Sequence, residues 1–238
     1  MKTLMLISLL ISLAFSKDTT INTHLINAVK GNNLKKLKQL NEKFDIYKTN
    51  RYGETLLHIA AREGKQNIVN FLVNQGVDVN IKNASNTTAL HEACSKGNYI
   101  SAKILLNHDS DVNSIDDYGN TPLHNAALRG SLKTVKVLVQ HGADINLVNE
   151  LGESALHQAS WGGYDKIMKY LIKKGIDIQS QNNRGETALH IVTERRHKKA
   201  IKLLLKNGAD KSIENNHGET PKNIAKKRKL KTILKLLK

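Results

Sequence analysis

Aromatic side chains are scarce in this chain of 238 residues, at 4%, and Trp161 is the one tryptophan. Only two prolines occur, which argues against a loop-rich all-β protein or a Pro-rich linker and favours helix. The one cysteine, Cys94, excludes an intramolecular disulfide framework and any multi-cysteine zinc or iron–sulfur site. A single apolar run, Leu4 to Phe15, has no second of its kind after it. What is present suffices for a core. Apolar residues make up 39% and charged residues 24%, so the chain is not a disordered polyelectrolyte. Thirty-seven basic residues against 21 acidic ones give a net charge of +16, which predicts affinity for acidic partners.

The apolar run follows Lys2 and leads to small residues, Ala14 and Ser16, just before Lys17 and Asp18. This is the layout of a secretory signal peptide. A membrane-spanning helix needs about 20 apolar residues, more than this run has. The expectation is a leader over residues 1–16 and a soluble mature chain over 17–238, secreted or periplasmic. The alternative is an apolar N-terminal helix packed on the domain of a cytoplasmic or nuclear protein.

From there the sequence repeats. His58, His91, His124, His157 and His190 are each 33 residues apart. Thr55, Thr88, Thr121, Ser154, Thr187 and Thr220 keep the same step. So do Leu57, Leu90, Leu123, Leu156 and Leu189, and the run from Leu72 through Leu105, Leu138, Leu171 and Leu204 to Leu237. Each unit reads as two short helices. Thr at the N-cap accepts a hydrogen bond from the first turn, and Pro122 and Pro221 follow it where no intrahelical bond is lost. Gly64, Gly97, Gly130 and Gly163 end the first helix, and Gly76, Gly142, Gly175 and Gly208 the second, where a left-handed residue is least costly as glycine. In the second helix Val69, Leu72 and Val73 line one face. One such unit cannot bury its apolar face alone, so neighbours must stack.

The segment Gly119-Asn120-Thr121-Pro122-Leu123-His124-Asn125-Ala126-Ala127, with Gly130 and then His141-Gly142-Ala143-Asp144-Ile145-Asn146, resembles the ankyrin repeat. The resemblance spans about Ile21 to Lys238. It implies an all-α solenoid, each unit a hairpin-like loop and two antiparallel helices. The units run about 21–50, 51–83, 84–116, 117–149, 150–182, 183–215 and 216–238, the first and last serving as caps. Asn86, Asp109 and Arg196 stand where the pattern has glycine, and Val192 where it has a small alanine. Asn and Asp tolerate positive φ. The sixth unit is expected to be strained, or its first helix to run on.

The histidine column invites a metal reading. Units in a stack are set roughly 8–10 Å apart, whereas a zinc–nitrogen bond is about 2 Å. The rings are therefore expected to bond the loop backbone and the N-cap Thr. Cys94, in the alanine-rich helix, reads as a buried thiol. No nucleophile–base set, phosphate-cradling loop or paired carboxylate motif stands out, so no enzyme, cofactor or small-molecule substrate is expected. Asn83-Ala84-Ser85 and Asn86-Thr87-Thr88 are glycosylation sequons, pertinent only in a eukaryotic secretory route.

Charge is uneven along the chain. Residues 52–193 sum to −1, residues 194–238 to +11 and residues 1–51 to +6. The run Lys226, Lys227, Arg228, Lys229 reads as the solvated face of a cap, an anionic-surface site, or a nuclear localisation signal. Repeat solenoids bind through their concave face, and the resemblance places that face on the loop tips and first helices. Tyr52, Tyr118, Leu128, Leu151, Trp161 and Arg184 lie in those columns, and Trp, Tyr and Arg are favoured anchors. The function expected is a non-catalytic, monomeric scaffold that binds another protein there. The alternatives are a binder of a polyanion or anionic membrane through the basic ends, and a cytosolic or nuclear adaptor.

Overall fold

A computed structural model of the chain describes residues 21–238; the run over 1–16 expected to be a leader lies outside the described residues. Among the described residues fourteen helices follow one another in antiparallel pairs. They are α1 (Thr23–Lys30) and α2 (Leu34–Asn41), α3 (Leu56–Arg62) and α4 (Gln66–Asn74), α5 (Ala89–Lys96) and α6 (Tyr99–Leu106), and α7 (Pro122–Arg129) and α8 (Leu132–Gln140). Then come α9 (Ala155–Trp161) and α10 (Asp165–Lys173), α11 (Ala188–Glu194) and α12 (Lys198–Lys206), and α13 (Pro221–Lys227) and α14 (Lys231–Leu234). First helices contact first helices of adjacent pairs, and from α4 to α12 second helices do likewise. The architecture is an all-α solenoid. Among the described residues the β-type pairing is an isolated bridge, Val148 with Ser154.

The repeated columns explain each element. The N-cap residues Thr55, Thr88, Thr121, Ser154, Thr187 and Thr220 are extended before the first helices begin. Leu57, Leu90, Leu123, Leu156 and Leu189 are buried, as are Ala60, Ala93, Ala126 and Ala159. Val192, in the alanine column, is fully buried too. The second helices bury Leu72, Leu105, Leu138, Leu171 and Leu204. The core is thus one continuous apolar seam between the two helical layers.

The sixth unit keeps its shape. α11 stops at Glu194 and does not run on, because Arg196 takes the left-handed turn at φ 63°. Asn86 and Asp109 do the same, at φ 54° and 60°. Arg196 lacks the short polar side chain that eases this conformation, so it carries the strain.

From the second unit onward, three ladders of hydrogen bonds join neighbouring units. At the hairpin tips, backbone N–H groups of Ala84, Asp117, Glu150, Asn183 and Asn216 donate to the carbonyls of Tyr52, Ser85, Tyr118, Leu151 and Arg184. After the second helices, Asp111, Asp144 and Asp210 N–H groups donate to the side chains of Asn80, Asn113 and Gln179. The third ladder is made by the histidines.

Candidate functional site

Each column histidine bridges two units. His58 Nδ1 lies 2.8 Å from Thr55 Oγ1, and its Nε2 lies 3.0 Å from the carbonyl of Thr87 in the next hairpin. His124 repeats this with Thr121 Oγ1 at 2.9 Å and the Glu153 carbonyl at 2.9 Å. His91, His157 and His190 reach the carbonyls of Asn120, Glu186 and Glu219. A carbonyl only accepts, so Nε2 carries the proton; Nδ1 accepts from the N-cap N–H, as at His124. The rings are structural bolts in the neutral form. Burial lowers all five pKa values, that of His124 to about 4. Among the described residues no group of three His, Cys, Asp or Glu is placed to hold a metal ion. Cys94 is fully buried, and burial pushes its thiol up, away from the reactive thiolate.

The predicted partner-binding residues sort into two sets. Leu128, Leu151, Trp161 and Arg184 line one groove of about 450 Å³, together with Glu153, Gln158, Asn182 and Asn183. Leu128 is 52% and Leu151 63% exposed, so this apolar lining faces water. Trp161, at the end of α9, is half-buried and held on three sides. Its Nε1–H donates to Glu153 Oε1 at 3.0 Å. The Arg195 guanidinium from the next unit lies 4.3 Å from the ring centroid, and Arg184 lies 5.6 Å away. Glu153 is only 4% exposed and also accepts from Gln158 Nε2 at 2.7 Å. Tyr52 and Tyr118 are not in this groove. They are exposed hairpin-tip side chains on earlier units, with Arg51 against the Tyr52 ring.

Arg184 also borders a second cavity of about 280 Å³ further along the stack, lined by Glu186, Glu194, Glu219, Lys227 and Arg228 among others. Here two residues of the basic run are engaged. Lys227 Nζ meets Glu219 at 2.7 Å, and Arg228 pairs with Glu194. Lys226 and Lys229 are exposed and do not line that cavity. The four cations therefore do not converge on one site. At the other end of the face Arg62 pairs with Glu54 and, at 3.2 Å, with Glu92 of the next unit. Burial raises Glu54, but its bonds to Arg62 and Asn50 outweigh this and leave it lowered; burial raises Glu92.

Sequence reasoning missed two sets of residues. One is the carboxylate column of Glu54, Glu153, Glu186 and Glu219, eight residues before Arg62, Trp161, Glu194 and Lys227 respectively. The 33-residue step marks it, as it does the histidines. The other is the Asn/Asp column that closes each hairpin. Asn50, Asn83, Asp116, Asn149, Asn182 and Asn215 each accept N–H bonds from residues two and four positions on. The oxygen of sequon residue Asn83 is thereby part of its own loop. Asn86 is exposed, and its Nδ2 donates to Asp117 at 2.6 Å.

The comparisons with known proteins fit this geometry. A family model described as ankyrin repeats, three copies, matches residues 5–83, 25–116, 70–149, 109–182 and 156–238. No curated protein matches the chain. Among solved structures, the crystal structure of the ankyrin repeat domain of Bcl-3, titled a unique member of the IkappaB protein family, is similar at a TM-score of 0.77 and 27% identity. That match covers 91% of this chain and 98% of the other.

Proposed function

This chain belongs to the ankyrin-repeat family, and from that premise we propose that it is a non-catalytic scaffold that binds a protein partner along its hairpin-tip and first-helix face. The observation that carries the reading is the groove around Trp161. Its indole is clamped by Glu153, Arg195 and Arg184, so little rotamer freedom is lost on binding. Leu128 and Leu151 stand exposed beside it. A rigid aromatic next to unpartnered aliphatic side chains, within a polar rim, is the composition of a binding hot spot. The partner this fits presents an apolar side chain to the groove and polar groups to Arg184 and Asn183. The leader over residues 1–16 supports an exported location, which the mass of the mature chain tests.

The experiment is affinity capture with the parent, with Leu151→Asp, and with Trp161→Ala. A partner retained by the parent should be lost from both variants, with affinity falling tenfold or more, while the circular dichroism spectrum is unchanged. Retention of the same partner by both variants refutes the groove as the contact.

A further inference from the structure

Lysines are sorted across the solenoid as well as along it. The seven second helices carry fourteen lysines, no arginine and one carboxylate, Asp165. On the hairpin and first-helix side Glu54, Glu92, Glu186, Glu194 and Glu219 are each paired with a cation. Lys103, Lys136, Lys169, Lys202 and Lys235 follow the 33-residue step and are all exposed. With helices roughly 8–10 Å apart, they form a row of ammonium groups on the order of 40 Å long. Lys166 and Lys199, three residues before Lys169 and Lys202, share the same helix faces and widen the row into a patch.

Among the described residues none of these seven lysines reaches a carboxylate. Tyr170 lies 5.8 Å from Lys136, and Tyr99 lies 4.9 Å from Lys133, which holds the stems without neutralising the charge. Asp111, Asp144, Asp177 and Asp210 sit in the turns beyond the second helices and accept N–H bonds two residues on.

Exposed charges of one sign, gathered and left without counterions, form a surface for a partner of the opposite sign. Lysine is a hydrated point charge without the bidentate fork of arginine, so it suits many anionic groups in no fixed geometry. A patch spread over several helices matches a plane of headgroups better than a single line of phosphates. We propose that the second-helix face of the solenoid docks on an anionic lipid bilayer, leaving the hairpin-tip face turned away from it. This inference stands apart from the protein-binding reading and survives its failure.

The test is sedimentation of the full chain with vesicles of phosphatidylcholine, alone or mixed with phosphatidylserine. Binding is expected to the mixed vesicles alone, weakening as salt rises. Each lysine at such a surface is worth about fivefold in affinity, so Lys136→Gln with Lys169→Gln and Lys202→Gln should weaken binding roughly a hundred-fold. A charge-matched triple on first helices, Lys30→Gln with Lys96→Gln and Lys222→Gln, should lose far less, and Trp161→Ala should bind as the parent does. Failure of the parent to sediment with mixed vesicles overturns the proposal. So does equal loss from both triples, which would reduce the effect to net charge. Preference for duplex DNA over the mixed vesicles at equal salt overturns it in favour of a nucleic-acid partner.

Discussion

The histidine column gives single residues a measurable role. In the fold each ring is neutral, and a second proton on Nδ1 would face the N-cap N–H that it now accepts from. In the unfolded chain these rings titrate near 6.5, whereas His124 in the fold titrates near 4. Between those values the unfolded state binds more protons, so stability rises with pH. The contribution is complete above about 6.5 and is lost as pH falls towards 4. The urea midpoint should therefore drop across that interval, and His124→Asn should lose less of it than the parent. A midpoint that is flat from 6.5 to 4 would contradict the neutral-bolt assignment.

At the scale of the element, helix ends decide local strain. Gly163 and Arg196 occupy equivalent turns of adjacent units, at φ 63° each. A side chain in that conformation costs about 1–2 kcal/mol, partly offset by the greater freedom glycine has when unfolded, about 0.5–1 kcal/mol. Arg196→Gly should thus stabilise the protein by roughly 0.5–1 kcal/mol. Gly163→Ala should destabilise it by more than that, because the added Cβ would sit 2.5 Å from the His197 ring. Thermal or urea denaturation of the two variants checks both signs, and a loss of stability in Arg196→Gly would mean that the arginine makes a compensating contact.

Across the whole molecule, contacts run between successive units, so stability is a chain of nearest-neighbour terms. Among the described units the first and last each contact one other, and α14 is four residues long. Hydrogen exchange should therefore be fastest in α1, α2, α13 and α14 and slowest in α5 to α10. Uniform protection from end to end would show all-or-none unfolding instead. The same geometry explains the electrostatics. Residues 52–193 are almost neutral in sum, yet six of their ten lysines lie on the second helices, where Asp165 is the one carboxylate, which a tally along the chain cannot register.

The fold was legible because a 33-residue step writes every unit's caps, turns and buried columns into the chain itself. Thr121, His124, Leu123 and Gly130 do their work within one unit or against the next, so their environments follow from local sequence and translation. Asn86 and Asp109 were readable as left-handed turns for the same reason. The groove was legible only in part. Trp161, Leu128, Leu151 and Arg184 stood in columns that line one groove, but that Glu153 fixes the indole and Arg195 stacks on it depends on which side chains meet in the stack. Likewise Lys227 and Arg228, contiguous with Lys226 and Lys229, pair with Glu219, eight residues back, and with Glu194, one unit back. Periodicity determines which residues share a stripe; the stacked structure alone decides which members of neighbouring stripes meet, because surface pairing depends on distance and desolvation rather than on phase.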